Sequence, residues 1–236
     1  MHMRSALLLL ALSCLLLTGV GFADVCPGTT FDNYLGSGYS CGIDDKTFSN
    51  FMYTGTSNPP GYGLPAGSIA VTPITTPGNP GFQFSGGWFA STSSGILEQD
   101  SLIQYTVNVN QGGQPITDLS LSMGGVAWTG TGSILVAESA CLGAMFPSCS
   151  GGQIIKLSVF DSSSGTQLFD SATFAGVTEI DLQKDISVVA GTNGSAAVSL
   201  VTNQFSEGTT PEPSSILLFG SGVLGLAGVL RRRLSI

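Results

Sequence analysis

The sequence predicts an all-β body, an antiparallel β-sandwich of jelly-roll-like type, and two observations carry that expectation. Short runs with period-two apolar alternation recur along the chain, separated by turns rich in Gly, Pro, Asn and Ser. Between Asp24 and Thr210 no stretch sustains an i, i+3, i+4, i+7 apolar pattern over three turns, which is what an amphipathic helix would need. No internal repeat of fixed period is present, which argues against a propeller or a solenoid.

The elements follow in order. Residues 24–42 are Gly-rich, closed by two cysteines, and read as loop. Phe48 and the aromatics around it predict a first strand over 46–53, and residues 68–75 a second, with Asn58-Pro59-Pro60-Gly61 as the turn between them. Phe82 and Phe84 share one face of a third, which runs on to Trp88 and Phe89. Over 101–109, Ile103, Tyr105, Val107 and Val109 alternate with polar residues, as in a half-buried strand. Further strands are expected at 116–123, 133–138 and 153–161. Residues 167–173 are expected to pair back onto 153–161 across Ser162-Ser163-Ser164-Gly165. Two separate segments follow at 177–182 and 185–189. Asn193-Gly194 supplies the positive φ that tight hairpins use, ahead of a last strand over 196–205.

Both ends read as processing segments. Arg4, an apolar run over 6–17, and small residues at Gly21 and Ala23 predict a signal peptide over 1–23. The sandwich is expected over 24–206, a polar linker over 207–210, and a tail over 211–236 with a single hydrophobic helix at 216–230. The body is long enough for one domain with a real core. Fourteen acidic residues face three lysines there, Lys46, Lys156 and Lys184. Nucleic acid requires a basic face to displace counterions, so nucleic acid is excluded as a partner. With Cys14 removed in the signal, Cys26, Cys41, Cys141 and Cys149 remain, and an even count in an exported body reads as two disulfides. Three connectivities exist; the local pairs Cys26–Cys41 and Cys141–Cys149 are favoured because each closes a short loop rich in turn residues. A zinc site is the alternative, but neither pair has C-x2-C spacing.

The tail is the most specific stretch. Residues 216–230 make about 22 Å of helix at 1.5 Å per residue, short of the roughly 30 Å hydrocarbon core. Gly220, Gly222, Gly225 and Gly228 weaken that helix further. Such a segment holds a chain in the membrane transiently, and the positive-inside rule puts Arg231, Arg232 and Arg233 in the cytoplasm. Gly220, Gly222 and Gly225 also match G-x-G-x-x-G. No βαβ unit surrounds them, so this is a chance match. The order Pro211-Glu212-Pro213, apolar run, Arg231-Arg232-Arg233 resembles the PEP-CTERM sorting domain of Gram-negative bacteria. The resemblance implies an exosortase-type membrane processing enzyme as partner and passage through the inner membrane. It also implies processing near Pro211-Glu212-Pro213 and delivery to the cell surface or an exopolysaccharide matrix. Sequences of this kind often share a Cys-containing start and an F-S-N-F-x-Y segment, here Phe48 to Tyr53.

Chemistry in the body is sparse. The lone histidine, His2, leaves with the signal, which excludes His-based triads and His-ligated metals. Glu98 with Asp100, or Glu138, are the carboxylates that could serve glycoside hydrolysis. Asp44 with Asp45, Asp161, or Asp181 with Asp185 could ligate a structural calcium ion; no other cofactor is expected. Trp88, Trp128, Tyr53, Tyr62 and Tyr105 are candidates for stacking on sugar rings, with Trp128 the best placed for exposure among its glycines. The expected function is a non-enzymatic surface or matrix protein, structural or adhesive. An exopolysaccharide-binding module is the alternative, and a glycoside hydrolase ranks below both.

Overall fold

The computed structural model describes residues 24–207. The expected signal peptide, the segment 216–230, and the sorting residues Pro211, Glu212, Pro213, Arg231, Arg232 and Arg233 lie outside the described residues. Fourteen strands follow one another: β1 (Thr29–Thr30), β2 (Ser40–Ile43), β3 (Lys46–Asn58), β4 (Ala70–Ile74), β5 (Gly81–Thr92), β6 (Glu98–Val109), β7 (Ile116–Gly124), β8 (Ala127–Thr129), β9 (Ser133–Leu142), β10 (Gln153–Ser162), β11 (Gly165–Gln167), β12 (Phe169–Val177), β13 (Glu179–Val189) and β14 (Gly194–Glu207). They form two antiparallel sheets. One has the order β1-β4-β5-β14-β7-β12 with β8 also on β14; the other runs β11-β10-β9-β13-β6-β3-β2.

Alternation decides which residues face inward. On β6, Ile103, Tyr105 and Val107 are buried while Leu102, Gln104 and Asn108 are not; on β13, Ile180, Leu182, Ile186 and Val188 are buried. The two inner faces enclose a core rich in rings. Phe48 lies 4.8 Å from Phe82 and Tyr105 lies 5.7 Å from Phe51, centroid to centroid. These separations fall in the favourable range for aromatic pairs. Phe48 and Phe51 are three residues apart, yet both are buried. The register of β3 against β6 shifts between Ser49 and Met52, and Asn50 there has φ +56°. This is a β-bulge, which restores the inward phase after one extra residue.

Four sequence expectations are corrected. Residues 24–42, read as loop, carry β1, a short 3-10 helix over Phe31–Tyr34 and most of β2. Only β11 folds back onto β10; β12 crosses to the other sheet and pairs with β7. The separate segments at 177–182 and 185–189 are one strand, β13, continuous through Lys184. Asn193 has the expected positive φ, but its turn joins β13 to β14 in opposite sheets and so closes no hairpin. The cysteines pair as favoured, Cys26 with Cys41 and Cys141 with Cys149.

Candidate functional site

Three places concentrate polar chemistry. The first is on the outer face of the longer sheet, where register aligns Met52, Gln104, Gln183, Ser139 and Lys156 in one row across five strands. One end of that row opens into a groove of about 270 Å³ lined by Asn50, Met52, Gln104, Gln183, Asp181, Met145, Phe146 and Pro147. The wall of Met145, Phe146 and Pro147 belongs to the loop closed by the Cys141–Cys149 disulfide. Asp181 ties that wall to the floor, accepting the Phe146 N–H at 2.9 Å and the Thr106 hydroxyl at 2.9 Å. The side-chain amides of Gln104 and Gln183 make no hydrogen bond among the described residues and stay half-buried, so their donors and acceptors face solvent.

The second place is the rim where β14 ends. Lys46 is completely buried. Its ammonium donates to Asp45, to the Gln114 carbonyl at 2.9 Å and to Glu207 at 2.6 Å. Burial alone would push the Asp45 carboxyl up, but hydrogen bonds with Lys46, Glu207 and the Gln114 N–H hold it below its ordinary value. Glu207 goes the other way, raised by burial and by the neighbouring Asp45 carboxylate, against the pull of Lys46. Asp44, Asp45 and Glu207 come close enough together to ligate a metal ion. The Lys46 ammonium bridges two of these three carboxylates, so an ion there would have to compete with a built-in cation. Asp161 is engaged by the Thr166 hydroxyl at 2.6 Å. Asp181 and Asp185 share one face of β13 four residues apart, about 13 Å along a strand, too far to share one ion.

The third place lies inside the sandwich. Glu138 of β9 and Lys184 of β13 are directly opposed partners on the inner face, and Asn203 of β14 meets them from the other sheet. All three are buried. Glu138 is therefore held by Lys184 at 2.5 Å in the core, away from any surface substrate. Glu98 and Asp100 lie on the outer face beside Asp185, whose carboxyl is raised by burial and by the charges of Asp100 and Glu98.

The aromatic candidates do not assemble into a platform. Trp88 and Tyr105 are fully buried. The Trp88 indole N–H donates to Ser101 at 3.0 Å, and Tyr53 is half-buried with its hydroxyl on the Leu64 carbonyl. Trp128 sits on β8 opposite the buried Ala196, half-buried and packed against the core. Tyr62 alone of the set is largely exposed, at 56%. Sequence reasoning missed the glutamine row and the internal cluster. The signal for the latter was present: Lys184 is in phase with Ile180, Leu182, Ile186 and Val188, and Glu138 with Ile134 and Val136.

Comparison with known proteins adds one firm point. No curated protein matches the sequence. Among solved structures, TmCBM61 in complex with β-1,4-galactotriose aligns at 10% identity and a TM-score of 0.28, covering 78% of this chain and 99% of that one. The Trichoderma harzianum endoglucanase 3 from family GH12 aligns at 10% identity and 0.22, covering 66% and 98%. Neither overlap is close enough to argue from. The family model for the PEP-CTERM protein-sorting motif, however, matches residues 209–233, starting two residues after β14 ends. Sorting by that motif implies export, processing by an exosortase-type enzyme, and a surface or extracellular fate. The chain thus carries a PEP-CTERM protein-sorting motif, which marks it for export to a surface or extracellular fate.

Proposed function

We propose that this protein is a non-enzymatic structural or adhesive component of the cell surface or extracellular matrix, its sandwich displayed by way of the sorting tail. The observation that carries this reading is the bracing of β14, the strand that leads into the motif. Asn203 is tied to the opposite sheet through Lys184, and Glu207, the last residue of β14, is tied to Lys46 of β3. Force or processing applied at the tail meets a strand held at its end and in its middle. The interleaved order β5-β14-β7-β12 against β6-β13-β9-β10 fits the jelly-roll connection expected from sequence. In it β14 lies inside its sheet, between β5 and β7, rather than at an edge. The tail itself is read as briefly membrane-embedded before processing. Fractionation of cells producing the full chain tests the reading. The protein should be recovered from the surface matrix, and alanines at Pro211, Glu212 and Pro213 should leave it in the inner membrane. Matrix recovery unchanged by those alanines would refute it.

A second reading is favoured by the groove on the outer sheet face. Neutral polysaccharide offers hydroxyls that both donate and accept, as the free amides of Gln104 and Gln183 do, and the Met145, Phe146 and Pro147 wall offers an apolar side to a sugar ring. A glycan-binding screen of the full chain should then show binding that Gln104→Ala with Gln183→Ala abolishes and Trp128→Ala spares. Binding lost only with Trp128→Ala would move the site to β8.

A further inference from the structure

We propose that Lys184 and Asn203 join in an amide bond between their side chains, formed by the protein itself after folding, with Glu138 as the proton carrier and release of one ammonia. The reaction needs a nucleophilic amine against a carboxamide, a group that moves protons between the two nitrogens, and a donor for the developing oxyanion. All four are assembled in the core. The Lys184 nitrogen lies 2.7 Å from the Asn203 amide oxygen. One oxygen of Glu138 accepts from Lys184 at 2.5 Å and the other from the Asn203 NH2 at 3.1 Å, so the carboxyl spans attacking and leaving nitrogens. The Tyr105 hydroxyl donates to the Asn203 oxygen at 2.5 Å, where negative charge develops as the carbonyl carbon becomes tetrahedral. A second hydrogen bond, from the Asn203 NH2 to the Ser120 carbonyl at 2.9 Å, fixes the amide plane.

The surroundings suit the step. Lys184, Tyr105 and Asn203 are wholly inaccessible, with the rings of Phe84 and Tyr105 beside the ammonium at 5.6 and 6.0 Å. Burial lowers the Lys184 ammonium below its ordinary value, against the opposing pull of Glu138, and so favours the neutral amine that can attack. Water, the competing nucleophile, is shut out.

The atoms balance. Lys184 gives one proton to Glu138, and its lone pair forms the bond from Nζ to Cγ of Asn203. A second proton passes from Nζ through Glu138 to Nδ2; the bond from Cγ to Nδ2 breaks and ammonia departs. No oxidant, metal or nucleotide is required. The product closes a loop between positions 184 and 203 and stitches β13 of one sheet to β14 of the other, immediately ahead of the sorting motif. The inference rests on the core geometry and is independent of whether the groove binds glycan.

The test is peptide mapping of the full-length chain after reduction and alkylation, using chymotrypsin and tandem mass spectrometry. The expected result is a branched peptide joining Lys184 to Asn203, lighter than its two linear parts by one ammonia. Folded protein giving both peptides linear and at full mass overturns the proposal. Ammonia loss confined to Asn193-Gly194, where a succinimide would form, overturns it equally. Tyr105→Phe keeps the ring and removes the oxyanion donor, and should slow linkage in newly folded chain by at least about tenfold. Glu138→Gln should block it, and full linkage in the folded Glu138→Gln chain would contradict the role of the carboxyl.

Discussion

Two of the three lysines of the body are completely buried, and the contrast between them shows what depth does to one side chain. Lys46 sits at the rim, between Asp45 and Glu207, whose side chains keep 25% and 12% of their surface exposed. Lys184 sits mid-core against a glutamate with none exposed. At the rim, water still shares in solvating the charges, and the ammonium acts as a brace between β3 and the end of β14. In the core that help is gone. The same ion pair there carries the full desolvation cost of two buried charges, and the Asn203 carboxamide stands within reach of the Lys184 nitrogen.

The contrast can be broken at its deep end first. Glu138→Ala both blocks the linkage and leaves Lys184 as a buried amine without its counter-charge, and unfolding in denaturant should report a loss of at least about 3–5 kcal/mol. Lys46→Met removes the rim brace and should cost less, about 1–3 kcal/mol, because its partners regain water. The two should also differ in salt. The Lys46→Met penalty should shrink at high ionic strength, which screens exposed charge, while the Glu138→Ala penalty should hold. Equal penalties with equal salt dependence would mean that rim and core lysines are held alike.

The smallest effect is expected on the outer face. The Asp185 carboxyl is raised from its ordinary 3.8 by burial, then by Asp100 and Glu98. An acid raised on folding binds its proton more tightly in the folded chain, so its contribution to stability falls as pH climbs through the unfolded value. Asp185→Asn should therefore raise the thermal midpoint slightly at neutral pH, with the gain disappearing below about pH 4. A midpoint lowered at neutral pH would mean that the Asp185 charge has a stabilising partner.

Much of this molecule was legible in the sequence because its signals are local. Alternation over 101–109 and 116–123 located β6 and β7, and the spacing of the four cysteines suggested both disulfides. The sorting motif reads directly from Pro211-Glu212-Pro213 and the arginines. What escaped was non-local. Nothing near Ser162–Gly165 says that the chain folds back for only three residues and then changes sheets, because that choice is made by the distant partner β7. A charged residue in a run usually marks exposure, so Lys184 divided β13 in two, although the phase of its apolar neighbours pointed inward. The glutamine row is set by register across strands from four parts of the chain. Asn50, which lines the groove beside that row, did carry a cue, since asparagine adopts the positive φ that the bulge between Phe48 and Phe51 uses.

The contrast between the two lysines reduces to one measurement, tryptic cleavage of the denatured and reduced full-length chain. Cleavage should be complete after Lys46 and after the exposed Lys156 and absent after Lys184, and it should appear after Lys184 in the Glu138→Ala chain. Cleavage after Lys184 as readily as after Lys46 in the unsubstituted protein would show a free amine in the core and contradict the account.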